Sequence, residues 1–319
     1  MLFSPTPLHI PDGFLSIGVS IVGWILAVIF IGIALRQTKD QLGERQVPLM
    51  GVIAAFIFAA QAINFPVAAG TSGHLLGGTL AAIVLGPWAG TLVMTAVIAV
   101  QALLFQDGGL LAMGWNIVNM GVITTFTGYA VYMLVLRFLG STTRSRLIGA
   151  FVGAWLSVIV SASATAIELA ISGTSPLHLG LPAMAGVHAL IGLGEGIITV
   201  GAIGLLQASR PEVLTTGETA PGKRTATFTL VGLLVALGVA AFSPLASANP
   251  DGLEFIAELQ GFLGLAQESS YELMPDYTLP FLSDPVLTTI LAVAVGTLVV
   301  FGLAWFIARS SVQRGTVRD

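Results

Sequence analysis

Two histidines with turn residues beside them are the first chemistry this 319-residue chain offers. One stands in Leu8-His9-Ile10-Pro11-Asp12-Gly13-Phe14-Leu15-Ser16, the other in Gly70-Thr71-Ser72-Gly73-His74-Leu75-Leu76-Gly77-Gly78. Pro11 fixes φ, Asp12 can bond nearby backbone, and Gly13 tolerates positive φ, so the chain must bend sharply after His9. Neutral imidazole suits divalent transition metals, but two imidazoles alone leave such an ion short of ligands. His188 and Glu195 lie seven residues apart and share a helix face. An ionisable residue in an apolar helix is a functional candidate by default; a place near a metal and a place in a structural polar network both remain open for this pair. Gln61, Asn64, Gln101, Asn116 and Asn119 are candidates for holding the histidines by hydrogen bonds. His178, after Ser175-Pro176-Leu177, reads as a surface histidine, and Asp107-Gly108-Gly109 as a loop turn.

Composition decides what must position these residues. Hydrophobic residues are 55% of the chain and charged residues 9%, against about 25% charged in an ordinary soluble domain. The reading is an all-α polytopic membrane protein. With no cysteine, disulfides, thiolate zinc sites and iron–sulfur clusters are excluded. Apolar runs long enough to cross a bilayer, roughly 20 residues each, fall at about 16–36, 48–66, 73–87, 88–106, 115–138, 146–171, 182–207, 227–246 and 286–308. The third is short and ends at once in Gly86-Pro87. Gly149-x-x-x-Gly153 and Gly192-x-x-x-Gly196 suit close helix packing in lipid. The first seven runs form one unit, 8–207, that holds both histidines. A polar linker follows at 208–225, and then a two-helix segment, 226–319, with a hydrophilic loop at 247–285.

The basic residues set the expected orientation, since Lys and Arg collect on the cytoplasmic side. Nine alternating helices put all twelve on one side: Arg36, Lys39, Arg45, Arg137, Arg144, Arg146, Arg210, Lys223, Arg224, Arg309, Arg314 and Arg318. The N-terminus is then outside and the C-terminus inside. The outer face carries the histidines and acids alone, among them Asp12, Asp107, Glu168 and seven carboxylates of the last loop, a field attractive to cations. Most of those loop acids read as solvated.

The segment from Leu8 to Ser16 resembles the opening of the CbiM/NikM family, the substrate-binding membrane subunits of energy-coupling-factor cobalt and nickel transporters. Asn64-Phe65-Pro66, the His74 segment, Gln101-Ala102-Leu103-Leu104-Phe105, Asp107-Gly108-Gly109, Asn119-Met120-Gly121 and Gly186-Val187-His188-Ala189-Leu190-Ile191-Gly192 resemble it too. Asn249-Pro250-Asp251-Gly252-Leu253-Glu254 is similar to the PDGLE motif of the small companion subunit, so the chain resembles an M–N fusion. The resemblance implies a metal held by the α-amine of the first residue, the backbone nitrogen and imidazole of the second, and the imidazole of a later histidine. Carried over, these are Leu8, His9 and His74, with Asn64, Gln101, His188 and Glu195 around them. An α-amine beside His9 requires the mature chain to open at Leu8, by initiation there or by trimming after Pro7.

The cargo so implied is Ni²⁺ or Co²⁺, with the PDGLE segment tilting toward nickel; cobalt uptake for cobalamin biosynthesis is the alternative. No Gly-x-x-x-x-Gly-Lys-Ser/Thr loop occurs, so ATP hydrolysis belongs elsewhere. The implied partners are a membrane coupling subunit (CbiQ/NikQ-like) and cytoplasmic ATPase subunits (CbiO/NikO-like). No nucleic acid is expected, and the place is the cell membrane. A membrane metalloenzyme using His9, His74, His188 and Glu195 is the rival reading; it needs an open coordination position.

Overall fold

The computed structural model describes residues 9–39, 43–44, 46–216 and 223–316. Leu8, Arg45, Arg318 and the middle of the 208–225 linker lie outside the described residues. The chain is a bundle of α1 (Ile17–Lys39), α2 (Gln46–Gln61), α3 (Gly78–Leu85), α4 (Pro87–Phe105), α5 (Met113–Leu139), α6 (Thr143–Ile171), α7 (Leu177–Ser209), α8 (Pro211–Thr216), α9 (Lys223–Ala240), α10 (Gly252–Gln260) and α11 (Pro285–Thr316). A small antiparallel pair, β1 (Phe65–Pro66) with β2 (Ser72–Gly73), precedes His74.

All nine apolar runs become helix, but not of equal kind. Among the described residues seven helices are long and apolar enough to cross a membrane, and the protein is a multi-pass membrane protein. At about 1.5 Å per residue, the 16 residues of α2 reach ~24 Å. α2 is buried on nearly every side and packs against α4, α9 and α11. The run 73–87 differs from expectation. Only eight of its residues are helical, roughly 12 Å, because residues 72–77 are spent as an extended arm. α3 thus descends part-way, turns at Gly86-Pro87 and returns as α4. A continuous apolar run does not distinguish this half-helix from a full crossing.

Lipid-facing and packed faces follow the side chains. Ile17, Ile21, Ile25 and Val28 expose one stripe of α1, while Ser20, Gly23, Ala27 and Ala34 turn inward. Gly192 and Gly196 of α7 lie against Trp155 and Phe151 of α6, leaving no room for a β-carbon. The small-residue pairs are packing devices, as in other membrane helix pairs. Arg36 and Lys39 close α1, Arg137 closes α5, Arg144 opens α6, and Arg309 lies in the last turns of α11. All of these stand at the end of the bundle away from the histidines.

At the histidine end a second apolar cluster joins the two parts of the chain. Ile10, Phe14 and Leu15 of the opening segment pack with Leu253, Ile256, Ala257 and Phe262 of the last loop. The rings of Phe14 and Phe262 meet edge to face, 5.1 Å between centroids.

Candidate metal site

The opening segment is pinned by a neighbouring loop on both sides of its bend. The Asp12 carboxylate accepts from the backbone N–H groups of Leu110, Leu111 and Ala112 at 2.9–3.0 Å, capping the start of α5. Asn116 grips Ile10 through its amide, Nδ2 donating to the Ile10 carbonyl and Oδ1 accepting from the Ile10 N–H, both 3.1 Å. Gly108 has φ +97°, and a β-carbon there would press on Asn116 Nδ2 at 2.9 Å and on the His9 side chain at 3.0 Å. Positive φ and this close approach together call for glycine.

His9 is buried, and its Nδ1 lies 3.2 Å from both the Asp107 backbone oxygen and the Asp107 carboxylate. Both partners are acceptors, so Nδ1 carries the hydrogen and donates. That leaves Nε2 as the lone-pair nitrogen; it is buried and makes no hydrogen bond. The Asp107-Gly108-Gly109 stretch is therefore more than the turn it resembles in sequence.

His74 follows β2 and is likewise buried, its Nδ1 donating to the Leu75 carbonyl at 3.0 Å. The two imidazoles stand edge to face with centroids 5.4 Å apart, although 65 residues separate them. The arm after His74 is held from two sides. Glu195 accepts from the N–H groups of Leu76 and Gly77 at 2.5 and 2.9 Å, while Gln61 Nε2 donates to the Leu76 carbonyl at 2.7 Å. Glu195 thus caps the entry to α3 and fixes the direction of the histidine arm.

A cavity of about 70 Å³ lies under the two rings, lined among others by His9, His74, His188, Asn119, Met184 and Asp251. His188 turns its Nδ1 to the Met184 carbonyl at 2.8 Å, and the other side of its ring faces Gly252 of the last loop. Asn119 donates to Glu168 at 2.9 Å and to Thr165 at 3.1 Å. Among the described residues no three His, Asp or Glu side chains are gathered as a metal would need. A set that fills its places with main-chain nitrogens does not require them. Leu8, the expected amine ligand, lies outside the described residues. Asn64 does not line the cavity; its backbone oxygen accepts from Ser247 N–H at 2.8 Å. His178 is exposed.

The last loop closes over both histidine segments. Ser72 N–H donates to the Pro250 carbonyl and Ser72 Oγ to the Asn249 carbonyl, both 2.8 Å, and Gln267 N–H to the Asp12 carbonyl at 2.8 Å. Within Pro250-Asp251-Gly252-Leu253-Glu254, Asp251 accepts from the Glu254 N–H at 2.7 Å and so caps α10. Leu253 and Ile256 then face the cluster described above.

Glu258, Glu268, Glu272 and Asp284 of the last loop are exposed, but Asp251 is buried. Burial, with the carboxylates of Glu254 and Asp107 adding to it, pushes its pKa up to about 8 against the Glu254 amide hydrogen bond. A carboxyl group raised in the folded state contributes stability that is full below its ordinary value and is lost as pH rises through the raised one. Amide exchange of residues 254–260, corrected for intrinsic rate, is therefore expected to speed up between pH 5 and 8.5 in the native chain. Asp251→Asn is expected to flatten that dependence.

Tyr277 belongs to no motif of the sequence, yet the last loop brings it to Asp107. Its hydroxyl donates to the second oxygen of Asp107 at 2.6 Å and accepts from Gln101 Nε2 at 3.2 Å, and its ring stacks on Phe105 at 4.6 Å. Burial first, then the Asp107 charge, hold the phenol well above its ordinary pKa, so it stays a donor. Gln101 thus reaches His9 through two intermediaries.

The model of the CbiM family, described as cobalt uptake substrate-specific transmembrane region, matches residues 9–213. The chain belongs to that family. The PDGLE domain model matches residues 226–312. A protein of Archaeoglobus fulgidus, provisionally named fused nickel transport protein NikMN, is 38% identical over 95% of this chain and 98% of its own length. The fused nickel transport protein NikMN of Rhodobacter capsulatus is 32% identical over 72% of this chain and 71% of its own. The cobalt transport protein CbiM of Sorangium cellulosum is 33% identical over 65% and 94%. Among solved structures, a truncated transition metal transporter superposes with TM-score 0.55 at 34% identity, covering 63% of this chain and 98% of that one. Membership in the CbiM family makes this a transport protein and not an enzyme, which sets aside the metalloenzyme reading.

Proposed function

We propose that the chain is the cation-binding membrane subunit of an ATP-driven energy-coupling-factor transporter and takes up Ni²⁺, with Co²⁺ as the alternative, at the outer face. The carrying observation is the pair of buried imidazoles, 5.4 Å apart beside a cavity lined by both polar and apolar side chains, one of them on an N-terminal segment fixed by Asp12 and Asn116. The ligands in this reading are the Leu8 α-amine where Leu8 opens the mature chain, the His9 backbone nitrogen and ring, and the His74 ring. Four nitrogens in a plane suit Ni(II). The fused relatives named for nickel and the PDGLE segment favour that ion over cobalt. Residues 8–207 form the binding unit, 208–225 the cytoplasmic link, and 226–319 the companion segment that covers the site.

Energy comes from partners, a membrane coupling subunit (CbiQ/NikQ-like) and two cytoplasmic ATPase subunits (CbiO/NikO-like). The test is uptake of radiolabelled nickel by cells expressing this chain alone or with those partners. Uptake is expected only with all of them. Disabling the ATPase phosphate-loop lysine is expected to stop uptake while the purified chain still binds Ni²⁺. Nickel entry that survives that change would end the energy-coupling reading.

A further inference from the structure

The ligand set proposed above asks one nitrogen of His9 to do two things. A histidine that binds an ion through both its own backbone nitrogen and its ring must use Nδ1, because Nε2 is too far from its own backbone. In the structure Nδ1 donates to Asp107. Cation and Asp107 are therefore mutually exclusive partners of the same atom. The ring keeps one proton in the exchange by passing from the Nδ1-protonated to the Nε2-protonated form.

Asp107 uses its oxygens on two different parts of the chain. Oδ1 faces His9 at 3.2 Å, and Oδ2 accepts from Tyr277 at 2.6 Å. Tyr277 is delivered by an unusual piece of backbone: Asp276 and Tyr277 both hold positive φ, +52° and +56°, a conformation that non-glycine residues keep where the surrounding structure enforces it. The phenol ring is seated on Phe105, and Gln101 donates to its oxygen. The hydroxyl hydrogen is thereby directed to Asp107.

We propose that Tyr277 is a positioning residue for cation loading, holding the Asp107 carboxylate when His9 Nδ1 leaves it for the cation. This rests on His9 as a chelating ligand. It assigns the companion segment a specific part in affinity, beyond covering the site. Asp107 is 4% exposed, so losing the His9 donor from Oδ1 takes place away from water. The Tyr277 hydrogen bond on Oδ2 limits the cost of that loss, which is greater for a buried group than for an exposed one. Tyr277→Phe keeps the stack on Phe105 and removes only the hydroxyl. Its effect should therefore fall on the loaded state more than on the empty one.

The experiment is titration of the chain opening at Leu8 and retaining the companion segment, its N-terminus verified by intact mass, with Ni²⁺ followed by the visible absorption of the square-planar ion. Tyr277→Phe is expected to weaken binding about 10-fold, and this loss should vanish in an Asp107→Asn background, where there is no carboxylate to hold. Native affinity in Tyr277→Phe, or the same loss with Asp107→Asn present, overturns the proposal. Tyr277→Leu separates packing from positioning: if the residue only packs, Tyr277→Phe is silent and Tyr277→Leu is impaired. His9→Ala is the control for the underlying reading. If it leaves Ni²⁺ affinity intact, the chelate itself is wrong, whereas its loss beside a silent Tyr277→Phe defeats the tyrosine role alone.

Discussion

His74→Ala is expected to lower Ni²⁺ affinity by more than about 100-fold and to stop nickel uptake, and His9→Ala to do the same. Groups that only orient a ligand cost 10–100-fold on removal, so loss of a ligand from a four-nitrogen set should exceed that range. The two rings meet at 5.4 Å although they enter from different segments, and each spends Nδ1 on an oxygen acceptor in the described state. The segments that carry them are held by Asp12, Asn116, Gln61 and Glu195, so the alanine variants should remain folded. His178 is exposed, and His178→Ala should leave affinity and uptake unchanged. His188 lines the same cavity, but its ring is backed by Met184 and Gly252; His188→Ala should cost less than either ligand. Equilibrium binding to the purified chain and uptake in cells check all four. Full affinity in His74→Ala would remove the basis of the functional reading.

The helical plan of this chain was legible because lipid leaves few alternatives. Backbone groups in a bilayer must be satisfied within the segment, so a long apolar run means a helix. The limit shows at 73–87, where fifteen residues of similar apolar character hold an extended arm, an eight-residue helix and a turn. Hydropathy reports burial, and that arm is buried by protein. His9 and His74 stood out as histidines beside turn residues. Asp107 did not, since an acid in Asp-Gly-Gly is common in turns and its contact with His9 spans 98 residues of sequence. Tyr277 is 170 residues from Asp107, and nothing in its local sequence reveals the stack on Phe105. Asp251 was visible as part of a turn that recurs at Pro11-Asp12-Gly13, yet its burial depends on how the last loop docks. Contacts made by folding the two parts of the chain together have no periodic signal to read.

Glu195→Ala is expected to be the most destabilising single change near the site, because the side chain serves backbone that has little else to hold it. Glu195 is fully buried in α7. Its place in an apolar helix leaves both a metal site and a structural polar network open; the structure aims both its oxygens at the N–H groups of Leu76 and Gly77. These amides lie at the entry to α3, where the first turn of any helix has donors without internal partners. A carboxylate there also meets the positive end of the helix dipole. Hydrogen bonds between neutral side chains inside membranes average only about 0.6 kcal/mol. Here two buried amides lose their acceptor, and each unmade bond costs about 1–3 kcal/mol, so the larger figure governs. Glu195→Ala should lose about 3 kcal/mol or more, read as a lower unfolding midpoint in detergent. Glu195→Gln keeps the volume and one carbonyl oxygen, but turns an amide donor toward the remaining N–H, and should lose about half as much. The same arm carries His74, so Glu195→Gln should also weaken Ni²⁺ binding by roughly 10-fold in chains that remain folded. Gln61→Leu frees only the Leu76 carbonyl and should be milder in both measurements. Glu195→Ala matching the native chain in midpoint and affinity would show that β2 and α3 alone direct the histidine, with no help from the buried acid.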